Sequence, residues 1–203
     1  MNKHSYGFTL IEIMITLAVF ALLLAVGLPS MTIWLQNQQI RTSAEGLQAG
    51  LQFARAEALR RNAPVRFQLV DTLTPACVLI NNGTSWIVSM NDPTGQCDTP
   101  ASDIVDPFTI QKRSGAEGTP NAVLAATSGV APAVPVAATT VTFNSLGRVT
   151  GAGAITQINV TNASANCQPA GPMRCLRLNI SSGGQVRMCD PIVIDPTDPR
   201  LCF

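Results

Sequence analysis

Between Gly7 and Pro29 the chain reads GFTLIEIMITLAVFALLLAVGLP, and from Phe8 to Leu28 only Thr9, Glu12 and Thr16 interrupt the apolar run. About 20 such residues make a helix roughly 30 Å long, enough to cross a hydrocarbon core. Lys3 and the amino terminus precede the run. The positive-inside rule therefore leaves the short N-terminus in the cytoplasm and places everything after about Met31 outside the inner membrane. A secretory signal peptide is the competing reading, but it would have a shorter apolar region and a small-x-small cleavage site. A plain anchor is the other alternative, and Glu12 counts against it. A carboxylate inside a membrane helix costs about 2.5–3.5 kcal/mol on insertion scales, so such a residue usually has a partner or a task. Where the run ends, Pro29 removes a backbone donor and crowds the preceding turn, so a kink is expected there.

Helical periodicity resumes at once. Ile40, Ala44, Leu47, Leu51, Ala54 and Ala58 follow one another at intervals of three and four, an apolar stripe on one helix face. Arg60 and Arg61 fall in the last turn, where the helix dipole favours cations, and Pro64 ends the pattern. One helix from Phe8 to about Arg61 would span on the order of 80 Å, its second half backing a folded head.

After Pro64 the spacing predicts strands over 65–70, 77–81, 86–90, 140–144, 155–161, 174–180 and 185–189. Residues 113–139, rich in Gly, Ala, Pro and Ser, read as a long surface loop. A long N-terminal hydrophobic helix followed by strands implies an α+β class, the helix packed on an antiparallel sheet. The last hairpin can be put in register. A three-residue loop at 182–184 pairs Ile180 with Val186 and Leu178 with Met188, which sets Arg177 across from Cys189.

The chain has 203 residues, a net charge of +1 and only 12% charged residues, so it holds no broad basic field for nucleic acid. Its one histidine, His4, precedes the apolar run, which removes Ser-His and Cys-His nucleophile pairs and His-ligated zinc from the rest. No enzyme, cofactor or metal is expected. The Asp-Pro repeats of the tail read as rigid turns rather than calcium ligands. The six cysteines, Cys77, Cys97, Cys167, Cys175, Cys189 and Cys202, suit disulfides in an oxidising compartment. Fifteen pairings are possible. Sequential pairing is preferred on loop length, and Cys175 with Cys189 stays open because the hairpin register makes them diagonal neighbours.

The polar leader, Gly7-Phe8, Thr9, Glu12 and the long apolar run together resemble the class III signal of type IV pilins and pseudopilins. The resemblance implies that a prepilin peptidase cuts after Gly7 and that Phe8 becomes the methylated N-terminus. It makes Glu12 the fifth mature residue, paired with the Phe8 ammonium of a neighbouring subunit. FARAEALRRNAPVRFQLV (53–70), VTFNSLGRVTG (141–151) and LRLNISSGGQVRMC (176–189) are similar to the GspH/FimT group of minor pilins and pseudopilins. The implied layout is a leader over 1–7, a transmembrane and filament-core helix over 8–31, an amphipathic continuation over 32–63 and a periplasmic head over 64–203. The implied function is a structural subunit that initiates or caps a pilus or a type II secretion pseudopilus. Its implied partners are other pilins, the prepilin peptidase and the inner-membrane assembly platform. The alternative is a DNA-binding minor pilin for transformation. Some FimT-like pilins carry Gly-Arg-x-Arg at the last hairpin, where this chain has Gly184-Gln185-Val186-Arg187. Arg187, Arg177 and Arg148 are then the candidate DNA or partner contacts, with solvated surface arginines the favoured reading.

Overall fold

The computed structural model describes residues 7–129 and 134–202, and over 26–30 the backbone alone. Contacts divide the chain into two compact units, residues 1–35 and 36–203.

Helix α1 runs from Leu10 to Arg61. In the first unit its large apolar side chains are exposed all round, among them Leu10, Ile11, Met14, Leu17, Phe20 and Leu23. Among the described residues no helix is long and apolar enough to cross a membrane. The run expected to do so continues through Val26–Leu28, whose side chains lie outside the described ones, as does that of Pro29 with its expected kink. The helical backbone itself continues across these positions.

In the second unit the stripe is buried as its spacing demands. Ile40, Ala44, Leu51, Ala54 and Ala58 are 0% exposed. The helix stops one residue earlier than proline alone would dictate. Asn62 takes φ +50°, and the Asn62 and Ala63 N–H groups donate back to the Leu59 and Ala58 carbonyls. This is the paired capping pattern of a left-handed terminal residue, which asparagine tolerates.

Among the described residues ten strands follow: β1 (Val65–Val70), β2 (Ser85–Ser89), β3 (Thr109–Arg113), β4 (Ala122–Ser128), β5 (Val136–Ala137), β6 (Thr140–Phe143), β7 (Val149–Thr150), β8 (Gln157–Asn162), β9 (Leu176–Ile180) and β10 (Val186–Cys189). They form two five-stranded sheets, ordered β3-β2-β1-β6-β7 and β10-β9-β8-β4-β5, every pairing antiparallel. One core joins the helix stripe to Phe67, Trp86 and Phe143 of the first sheet and to Leu124, Ile158 and Leu178 of the second. Each large side chain buried there contributes about 1.5–3 kcal/mol, so this three-way contact dominates the head's stability. Close approach needs Gly50. A methyl group at that position would sit 2.9 Å from the Phe67 and Trp86 rings. Strands β1 and β2 are also covered on their far side, where Val70, Ile87 and the Cys77–Cys97 disulfide make a second small core.

The last hairpin has the expected register: Val186 faces Ile180, Met188 faces Leu178 and Cys189 faces Arg177. Three expectations need correction. Residues 77–81 are not a strand. Asp71 Oδ1 accepts the Thr72 and Val78 N–H groups and folds the chain back, leaving one bridge between Val70 and Leu79. Residues 109–113 are a strand that was not expected, added to the edge of β2. Residues 113–139 are not one surface loop, because β4 and β5 lie within them. Ala122, Leu124 and Ala126 alternate inward and are buried. Alanine carries little hydrophobic signal in sequence, yet its size suits an inner position on β4, which pairs along its length with β8.

Candidate functional site

The N-terminal motif is laid out for access. Gly7, Phe8 and Thr9 precede the helix and are exposed, and nothing lies within 4 Å of where a Gly7 methyl group would be. The Gly7–Phe8 bond therefore sits in irregular, open chain. Thr9 caps the helix, its Oγ1 accepting the Glu12 N–H at 3.3 Å. The spacing Thr-x-x-Glu is that of a capping box. Glu12 thus occupies the first turn, where the dipole favours a carboxylate, and it is the one charged residue from Gly7 to Gln39.

At the other end of α1, Glu57 accepts from Arg60 Nη2 at 2.7 Å and from Arg61 Nε at 2.8 Å, and Arg61 also bonds Asp103 at 2.6 Å. The Arg60 hydrogen bond, then that from Arg61, hold the Glu57 carboxyl at about 2, below its ordinary 4.5. A carboxyl lowered in the folded state stabilises fully above its unfolded value and loses that contribution as pH falls through the folded one. Wild type is therefore expected to lose stability between about pH 4.5 and 2 more steeply than Glu57→Gln. Urea midpoints of the two chains across that window check this. Parallel curves would refute it.

The candidate contact arginines are only partly brought together. Arg177 and Arg187 share the outer face of the β9–β10 hairpin. Arg177 donates from Nε to Asn159 Oδ1 at 2.8 Å, and burial lowers its pKa. Arg187 donates to the Pro199 carbonyl. Arg148 is exposed on a separate turn, its N–H held by Asn144 Oδ1 at 3.0 Å. Arg174 lies 3.4 Å from Asp190.

Sequence reasoning missed Arg55. Its Nε donates to the Gly147 carbonyl at 3.1 Å, tying the helix to the turn of VTFNSLGRVTG. The Val149 N–H donates to Ser182 and joins that turn to the hairpin loop. Arg55 lies off the apolar stripe, and only the fold reveals its partner. The cysteines pair Cys77–Cys97, Cys167–Cys175 and Cys189–Cys202. The tail aspartates serve local turns: Asp195 accepts from Thr197 and Asp198 from Arg200.

An accessible glycine before a capped apolar helix, with one carboxylate in its first turn and a disulfide-bonded head on its far half, defines the pilin class of filament subunits. The chain belongs to the GspH family: the model for type II transport protein GspH matches residues 43–184, and that for the prokaryotic N-terminal methylation motif matches residues 2–28. It is a structural subunit of the minor pilin or pseudopilin kind. Two crystal structures of the type IV minor pilin FimU from Pseudomonas aeruginosa PAO1 are similar. One is 18% identical over 73% of this chain and 90% of that one, with a TM-score of 0.44. The other is 16% identical over 74% and 88%, with a TM-score of 0.47. No curated protein matches the chain. The family matches give the nucleic-acid alternative no support. Family and motif imply association with other pilins and suggest a membrane-anchored, filament-assembled protein.

Proposed function

We propose that a prepilin peptidase cleaves the chain after Gly7 and methylates Phe8, and that the apolar part of α1 holds it in the inner membrane until assembly. The short N-terminus is cytoplasmic and the head periplasmic, where its disulfides form. An inner-membrane platform then moves the subunit into a filament, which it initiates or caps. In the filament Glu12 pairs with the Phe8 ammonium of a neighbour, each charge offsetting the other's cost of leaving water. One observation carries this reading. A helix exposing apolar side chains on every side carries a single carboxylate in its first turn, Glu12, the fifth residue after an open Gly7–Phe8 bond. Mass spectrometry of the mature protein tests the reading. The expected chain starts at Phe8 and carries one added methyl group. An intact leader, or any other start, would overturn it.

A further inference from the structure

Met31, Trp34 and Leu35 stand three and four positions apart on helix α1, so they share one face. They are 58%, 55% and 49% exposed. Beyond them the chain turns polar at once, with Gln36, Asn37, Gln38 and Gln39 in succession. Single exposed apolar residues are ordinary. Three on one face, one of them tryptophan, form a patch that gains by leaving water.

Distance along the helix says what covers it. The apolar run ends at Leu28, and Trp34 lies about 9 Å further on. The polar layers of a bilayer add about 5–8 Å on each side of its hydrocarbon core. Helical side chains lean toward the helix N-terminus, so the indole reaches back into that layer. Indole suits such a place, because it joins a broad apolar ring to one N–H donor. Charge agrees with distance. No charged residue lies between Glu12 and Arg41. Arg41 stands about 20 Å past Leu28 along the helix, clear of the layer. Its Nε already donates to Glu45 at 2.8 Å. The patch therefore meets a partner graded in polarity, and headgroup charge plays no part.

The patch is also one-sided. Membrane helices tilt by about 20° on average, and their interfacial anchors help to set that tilt. Tilting brings one face of a helix toward the lipid surface and lifts the opposite face away. The face that carries Met31, Trp34 and Leu35 gains most from being the lower one. Its position fixes the direction of lean as well as the depth.

We propose that Met31, Trp34 and Leu35 seat α1 in the glycerol and headgroup layer of the periplasmic leaflet before assembly, setting the depth and lean of the helix. The contact deepens the inner-membrane reading and rests on it. Its partner is the uncharged boundary of a phospholipid surface, so it is insensitive to salt.

The test uses the full chain in phosphatidylcholine vesicles. The chain has two tryptophans, and Trp86 is only 4% exposed, its ring centroid 5.4 Å from that of Phe67. In Trp86→Phe the emission therefore comes from Trp34 alone. Bromine near the glycerol end of the acyl chains should quench it roughly threefold more than bromine at the chain ends. Iodide in the water on both sides should quench it little. Added salt, or phosphatidylglycerol in place of phosphatidylcholine, should leave the quenching unchanged. In Trp34→Phe neither bromine position should dim Trp86. Strong quenching by iodide, strongest quenching by bromine at the chain ends, or bromine quenching that requires phosphatidylglycerol would each overturn the contact. So would a Trp34 that iodide reaches in vesicles but not in filaments, which would assign the patch to a neighbouring subunit. If Trp86→Phe loses its unfolding midpoint, subtracting the Trp34→Phe emission from that of wild type isolates the same signal. A chain that resists alkaline extraction while its Trp34 stays in water would sink this contact and leave the membrane reading standing. A chain that washes off would sink both.

Discussion

Glu12→Ala is expected to reach the membrane as well as wild type and to be missing from filaments. The substitution leaves the helix start intact, because Thr9 caps through the Glu12 backbone N–H and not through its carboxylate. Insertion should become easier, since a charge costing about 2.5–3.5 kcal/mol is gone. What disappears is the partner of the Phe8 ammonium. A buried charge left without its partner costs about 3–5 kcal/mol, which corresponds to roughly a hundredfold or greater loss of incorporation. Glu12→Gln separates charge from hydrogen bonding and should behave like alanine. Glu12→Asp keeps the charge on a shorter arm and should be intermediate. The measurement is the ratio of variant in sheared filaments to variant in membranes. Equal ratios for alanine and glutamate would end the proposed role.

Gly184→Ala is expected to destabilise the head by about 3 kcal/mol or more. Gly184 has φ +78°, which costs an L-residue roughly 1–2 kcal/mol. Its added methyl group would also sit 2.0 Å from the Gly147 carbonyl oxygen and 3.2 Å from Arg55 Nε. The first contact is backbone against backbone, in a turn that Arg55 already grips through the same carbonyl. Neither side can rotate away, so relief means separating the hairpin loop from the helix. Gly183→Ala is the control, with only Ser181 Oγ nearby, at 3.7 Å. Urea unfolding of the full chain in micelles should show a clear drop for the first and little change for the second. Equal midpoints would refute the account.

Local patterning carried much of this fold. The helix stripe from Ile40 to Ala58 is a matter of spacing, and burial follows from it. The register of the last hairpin follows from two-residue alternation and loop length, and β10 pairs with β9 accordingly. Strand β4 escaped notice because alanine alternation scarcely differs from a flexible loop until a partner strand is present. The bend at Asp71 escaped because a side-chain acceptor replaced ladder pairing. The N-terminal methylation motif was visible whole, since its residues are neighbours in the chain. Arg55, by contrast, meets its partner 92 residues away.

The sequence by itself determined the apolar run with its single carboxylate, the helix face that is buried and the class of the head, because these depend on contacts within a few turns or one hairpin. Only the tertiary structure decided that the strands divide into two sheets around the helix. The same holds for Gly147 and Gly184 meeting beneath Arg55, and for Arg41, Arg174 and Arg200 lining one groove. Those arrangements join residues far apart in the chain. Their closeness follows from how one shared core is filled, and no local propensity encodes it.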